Sequence, residues 1–292
     1  MAASVRVAAP AKVNLHLRVY GRREDGFHDL LSLFQAVTVA DDIVVRSLKG
    51  RDTIRVTGSF DCRPEDTTVY KAARAFMRIS KLNVAVSIEV HKTIPSGAGL
   101  GGGSSDGAAT LRALDALFET GLPLEELAAA AAEVGSDVPF FISGGCALVE
   151  GRGERVDPLV SRADLAFVIH FPGFPVSSAG AYGLLDRMRP SDAGEPDPSP
   201  EAIRSAYRGR PGSWPFANSF QPWIEAAHPA VAAARRRLLD RGARFAAMTG
   251  SGSSVFGVFE TRSEAEQALR ELRAGPGEVF LAFPLARLPA LD

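Results

Sequence analysis

Cysteine is scarce in this chain: Cys62 and Cys146 are the only two among 292 residues. They lie too far apart to form a metal-ligand or redox pair. A disulfide scaffold is excluded, and two reduced thiols in a cytoplasmic protein are the expectation. An excess of charge of either sign is also missing. The 33 Lys and Arg meet 34 Asp and Glu for a formal net charge of −1. A nucleic-acid or anionic-membrane partner would need a basic surface, so neither is expected. The one basic cluster, Arg235, Arg236 and Arg237, reads as a solvated helix face. No run approaches the roughly 18 apolar residues that cross a bilayer. The opening Met-Ala-Ala-Ser-Val-Arg-Val lacks the apolar core of a signal peptide, and no internal repeat occurs. With 46% hydrophobic residues, the chain is long enough for one large or two modest domains.

Short alternating segments at 5–9, 13–20, 43–48 and 53–57 predict an antiparallel sheet near the start. A helix is expected over 67–80. Val84, Val86, Ile88 and Val90 then alternate with smaller or polar residues, giving a strand with one buried face. Ala108, Leu111, Leu114, Leu117 and Phe118 recur at helical spacing, and a further helix should run from near Pro123 to Gly135. Between 150 and 165 the pattern reads as turns before a new strand at 165–170. The domain boundary is placed there, giving domains 1–160 and 161–292. The stretch 189–200 reads as an exposed loop. The order near the end is helix (230–241), strand (244–248), strand (254–259), helix (263–273), strand (278–284). With the strand at 165 this is a split β-α-β layout, with helices on one face of an antiparallel sheet.

Between the strand at 84–91 and the helix after it lies Pro95-Ser-Gly-Ala-Gly-Leu-Gly-Gly-Gly-Ser-Ser-Asp106. Glycines without Cβ atoms let a backbone approach a bulky anion and take positive φ. The helix start beyond them offers unpaired N–H groups and a positive dipole end. Together these make a phosphate cradle. A dinucleotide fingerprint fits Gly97, Gly99 and Gly102, but its strand should be buried on both faces and open the domain. A Walker loop needs a lysine before the Ser/Thr, where Gly103 stands, and the H-R-D and D-F-G motifs of protein kinases are absent. Ser104 and Ser105 could equally be N-caps of the helix, a role compatible with phosphate binding.

The whole string resembles the P-x-x-x-G-L-G-x-x-S-S motif of the GHMP small-molecule kinases. Ala9-Pro-Ala-Lys-Val-Asn-Leu15 near the start and Met248-Thr-Gly-Ser-Gly-Ser-Ser-Val-Phe256 near the end match that superfamily's other two motifs. Within it, four segments look like one branch: Ala11-Lys-Val-Asn-Leu-His-Leu17, Gly21-Arg-Arg-Glu-Asp-Gly-Phe-His28, Ser32-Leu-Phe-Gln35 and Gly135-Ser-Asp-Val-Pro-Phe-Phe141. That branch phosphorylates the C2 hydroxyl of a cytidine-diphosphate ester of methylerythritol, using ATP, in the non-mevalonate route to isoprenoid precursors. The implied fold is α+β with two domains. The first is a ribosomal-protein-S5-domain-2-like α/β sandwich, the second a ferredoxin-like α+β domain.

The resemblance also implies roles. Lys12 and Asp137 are the catalytic pair, Asp137 as general base and Lys12 stabilising the developing alkoxide. Lys92, Pro95, Gly97, Gly99, Leu100, Gly101, Gly102, Gly103, Ser104 and Ser105 belong to the ATP site, with Ser105 the candidate ligand of Mg²⁺. Phe27, His28 and Tyr182 would meet the cytosine; Asn14, Ser178 and Asp137 the sugar-alcohol end; and Gly250, in the 249–253 loop, would close over the site. His16, His91, His170 and His228 read as structural. The small-molecule acceptor is the expected partner, with no nucleic acid and no membrane, on a monomer or weak homodimer. Three positions depart from the branch pattern. Phe27 replaces a common Tyr, Thr67 a frequent Asn, and Asn218-Ser-Phe-Gln221 only partly follows the usual Asn-Asp-aliphatic-Glu run.

Overall fold

A computed structural model describes residues 3–188 and 198–292. Most of the expected 189–200 loop therefore lies outside the described residues, and Pro200, its last member, already begins a helix.

The segments expected at 5–9 and 13–20 are one strand, β1 (Ser4–Arg22), paired antiparallel with β2 (His28–Leu48). The register slips between Pro10 and Ala11 and again between Asn14 and His16. Proline lacks a ladder donor and is tolerated at such bulges. These slips decide where side chains point. Val7 and Ala9 pack in one hydrophobic cluster, Ala11, Val13 and Leu15 in a second, and Leu17 and Val19 in the first again. Lys12 and Asn14, alternating with the middle three, therefore face the first cluster.

β3 (Thr53–Gly58) corrects the expected antiparallel sheet, because it runs parallel to β4 (Ala85–His91). The intervening helix α1 (Thr68–Ser80) carries the chain back across the sheet, as parallel neighbours require. Thr67 is its N-cap, accepting from the Tyr70 N–H at 3.2 Å. α2 (Gly102–Leu117), α3 (Leu124–Val134) and the short α4 (Phe140–Ser143) follow. β5 (Cys146–Gly151) forms a hairpin with β6 (Arg155–Leu159), which lies where turns were expected. Asp157 and Pro158 weaken the strand signal there, and proline is accepted because β6 is an edge. The first sheet runs β3-β4-β2-β5-β6, with β1 also on β2.

The second sheet contains β7 (Ala166–Phe171), β8 (Phe245–Met248), β9 (Val255–Phe259) and β10 (Glu278–Ala282), in the order β10-β7-β9-β8, all antiparallel. Helices α5 (Ser178–Met188), α6 (Pro200–Arg208) and α7 (Gln221–Ala227) decorate it, while α8 (Pro229–Leu239) and α9 (Arg262–Leu272) supply the crossovers of a split β-α-β fold. A capping box between Thr261 and Glu264 starts α9. The second cluster joins Phe167, Ile169, Phe256 and Val258 to Val13, Leu15, Leu31 and Leu33, so the two sheets share a core. Gln35 stitches the join: its amide donates to the Gly145 and Leu285 carbonyls and accepts from Ser161 and Tyr207. The C-terminal tail returns to the first sheet, where Asp292 and Arg6 exchange backbone hydrogen bonds of 2.9 Å.

Candidate active site

Gly97, Gly99 and Gly101 adopt φ of +63°, +77° and +72°, a left-handed region costly for other residues. Three distant segments hold this loop: the N–H groups of Val176, Ser254 and Lys12 donate to the carbonyls of Gly97, Ala98 and Leu100 at 3.0, 3.1 and 2.9 Å. The cradle is therefore set before any ligand arrives. A Cβ on Gly99 would sit 2.2 Å from the Thr249 carbonyl oxygen. Gly99→Ala is therefore expected to raise the KM for ATP at least about tenfold and lower the Tm by several degrees, since backbone must move. Steady-state kinetics and a melting curve check this; an unchanged KM would remove the tight turn from ATP binding.

Helix α2 begins with Gly101 as a left-handed N-cap and no side-chain cap. Ser104 and Ser105 do not take the alternative role of caps: the αL turn at Gly101 starts the helix earlier and leaves both serines inside it. The first N–H groups of α2 remain open toward the loop. Ser104 is partly exposed. The Ser105 hydroxyl is buried and without a hydrogen-bond partner. Such an orphan oxygen beside a phosphate cradle fits a Mg²⁺ ligand, because this ion takes few protein ligands when phosphates supply the rest.

Lys92 closes the loop's entrance. Its ammonium lies 2.5 Å from Asp41 and 2.7 Å from Asp106, and Asp41 also accepts from the N–H groups of Thr93 and Ile94. Burial alone would lower the Lys92 pKa, but Asp106 and Asp41 outweigh it and hold it above the ordinary value. Burial pushes Asp106 up to about 7; Lys92 opposes the rise and Asp41 adds to it. Pro95, Leu100, Gly102 and Gly103 complete the loop, with the position of a Gly102 Cβ 3.3 Å from the Lys92 ammonium.

Lys12 lies directly beneath: a Cβ on Gly101 would stand 3.0 Å from its Cγ. The two bulges in β1 aim its ammonium at Asp137, 3.4 Å away, with the Asn14 Oδ1 at 2.5 Å and the Phe34 ring centroid at 4.5 Å. At that separation and an effective dielectric near 20, the attraction to Asp137 is about 5 kcal/mol. Burial still wins, and the Lys12 pKa falls below the usual lysine value. Asp137 sits on a turn where the Val138 N–H donates to the Gly135 carbonyl at 3.1 Å, and its side chain is 30% exposed. One carboxylate reaches solvent-accessible space beside one buried ammonium. The pair can hold and move a proton.

Asn14 is buried and heavily used: its Oδ1 also accepts from the Gly250 N–H at 2.9 Å and lies 3.2 Å from the Thr249 hydroxyl oxygen, and its amide donates to Ser32 at 3.0 Å. Ser178 opens α5 and shares a 3.3 Å contact with Ser251. Tyr182 stacks on His28 with ring centroids 4.9 Å apart. Burial, aided by Asp137, pushes the Tyr182 hydroxyl up to about 12. The His28 Nε2 lies 2.8 Å from an Asp186 carboxylate oxygen. Phe27 does not join this stack; it is half exposed and lies under the Arg152 guanidinium, 4.9 Å from its ring centroid.

The chain has known counterparts. The GHMP kinases N terminal domain model matches residues 67–145 and the GHMP kinases C terminal model residues 206–277. A 4-diphosphocytidyl-2-C-methyl-D-erythritol kinase of Treponema pallidum is 38% identical over 91% of this chain and 93% of its own. The crystal structure of a 4-(cytidine 5'-diphospho)-2C-methyl-D-erythritol kinase superposes with a TM-score of 0.81 at 37% identity, covering 96% of this chain and 98% of that one. The chain belongs to the 4-diphosphocytidyl-2-C-methyl-D-erythritol kinase family. A homoserine kinase from Cytophaga hutchinsonii, 20% identical, shares the fold with a TM-score of 0.76 over 99% of this chain and 97% of its own.

As a GHMP kinase of this family, the chain contains site residues that sequence patterns did not single out. Ser32 and Phe34, inside the quoted Ser32-Leu-Phe-Gln35 run, brace Asn14 and underlie Lys12. Thr249 accepts from the Asn14 N–H and donates to the Gly99 carbonyl, tying the family's first, second and third motifs together. Asn218, one of the departures from the pattern, donates to the Met248 and Gly250 carbonyls and so steadies the same loop. Asp186, outside every quoted motif, orients His28, and nothing local to its sequence marks it.

Proposed function

We propose that this chain transfers the γ-phosphoryl group of ATP to the C2 hydroxyl of 4-diphosphocytidyl-2-C-methyl-D-erythritol. What carries the reading is the Lys12–Asp137 pair packed against Gly101 of the phosphate loop. The open N–H groups of α2 and the loop backbone receive the ATP phosphates, Lys92 lies at their margin, and Ser105 is the residue that would hold Mg²⁺. When bound, that ion neutralises charge on the phosphates. Asp137 accepts the C2 hydroxyl proton as the oxygen forms its bond to the γ-phosphorus. The bond from that phosphorus to the bridging oxygen breaks, and ADP leaves with the electron pair. The Lys12 ammonium faces the oxygen on which charge develops. Asn14, Ser178 and the Gly250 loop hold the sugar-alcohol end. His28 and Tyr182 supply a ring pair for the cytosine, with Phe27 as an exposed platform beside them.

The working domains are 1–160 and 161–292, and the protein acts in the cytoplasm as a monomer or weak homodimer. An ATP-consumption assay with Mg²⁺ tests the substrate. Turnover is expected with the cytidine diphosphate compound, and turnover of mevalonate or homoserine in its place would overturn the assignment.

A further inference from the structure

Beside the catalytic pair, the tight turn joining β5 to β6 touches both ends of the acceptor site. Gly151 and Gly153 take φ of +70° and +116°, and the Glu154 carboxylate accepts from the Arg152 N–H at 2.6 Å. β5 pairs with β2 so that Gly151 lies opposite Leu30, which brings the turn alongside Phe27 and His28. On its other side, a Cβ at Gly153 would stand 2.8 Å from the Ser136 carbonyl oxygen, next to Asp137. The turn therefore presents Arg152 outward at a fixed place. Arg152 is exposed and makes no ion pair among the described residues. The nearby Asp25 is engaged by Arg23 and the Phe27 N–H. The guanidinium acts on Asp25 through space, helping to lower its pKa, and lies over the Phe27 ring, 4.9 Å from its centroid.

We propose that Arg152 is a positioning residue for acceptor specificity: its guanidinium backs one face of Phe27 and presents the other to the planar base of the acceptor. A half-exposed phenylalanine at the end of a hairpin is held by less packing than a core ring, and it lacks a hydroxyl that could anchor it. A cation over the ring supplies that restraint through its attraction to the ring quadrupole. The arrangement rests on the reading of Phe27 as a base platform.

Steady-state kinetics on Arg152→Ala, Arg152→Lys, Phe27→Ala and the Phe27→Ala/Arg152→Ala double variant separate the two ideas. Arg152→Ala is expected to raise the KM for the cytidine diphosphate acceptor about three- to tenfold, with kcat and the KM for ATP within about twofold. Arg152→Lys, which keeps a cation, should recover most of that loss. Phe27→Ala should raise the acceptor KM further, and adding Arg152→Ala to it should then change nothing. An unchanged acceptor KM in Arg152→Ala beside a raised one in Phe27→Ala overturns the role of Arg152 and leaves the platform standing. An undiminished Arg152→Ala effect in the double variant also overturns it, since the arginine then acts without Phe27. An unchanged KM in Phe27→Ala removes the platform, and the proposal with it.

Discussion

Asp137→Asn is expected to lower kcat by at least about 10²-fold while ATP still binds. Asparagine keeps the shape of aspartate but cannot accept the hydroxyl proton as the new bond forms. Asp137 is 30% exposed and lies on a turn held by backbone hydrogen bonds, so its shape-conserving replacement should leave the fold intact. In the proposed site ATP would meet the glycine loop and the start of α2, neither of which uses the Asp137 side chain. Single-turnover kinetics together with equilibrium ATP binding measure the two parts separately. Near-normal turnover would remove Asp137 from the mechanism.

Lys12→Met is expected to lower kcat by about 10²- to 10³-fold, the scale of losing a buried charge aimed at a developing oxyanion. Its effect on stability should have the opposite sense. Burial lowers the Lys12 pKa despite the attraction of Asp137, so the charged amine is held in the fold at a cost. Methionine of similar length removes that cost. Asn14 Oδ1 would still accept from the Gly250 N–H, which leaves it satisfied. The Tm should therefore hold or rise while turnover collapses.

The pH dependence follows from the same lowered pKa. A lysine with a lowered folded pKa loses its proton below the ordinary alkaline range, so kcat should fall on that limb as pH rises through the lowered value. Its contribution to stability rises with pH between the folded and the unfolded pKa, because there the unfolded chain binds more protons. In Lys12→Met both trends should vanish. An alkaline limb that survives the substitution would assign it to another group.

Particular elements show what can be read without coordinates. Helices α1, α2, α3, α8 and α9 follow apolar spacing and end signals that are local. The antiparallel order of the second sheet followed from the same local pattern of strands and helices. β3 was misread because strand direction depends on where the preceding and following elements dock, and five alternating residues do not encode it. β6 was missed because Asp157 and Pro158 are poor strand residues whose pairing is imposed by β5. The alternative of Ser104 and Ser105 as caps falls because the helix start is set by the φ of Gly101.

The same division applies to the site. The phosphate loop was legible because glycine's freedom at positive φ, and the open N–H groups of a helix start, are properties of a short segment wherever it lies. Lys12 and Asp137 could be named from their motifs, one residue at a time. Only the tertiary structure brought them to 3.4 Å, by two bulges in β1 that turn Lys12 to the correct face and a turn that carries Asp137 to meet it. It alone placed Asp186 on His28, Thr249 between Asn14 and Gly99, and Arg152 over Phe27. The physical reason is range. Backbone preference acts over a few residues, whereas these contacts are chosen by how two sheets share a core, and no local signal records that choice.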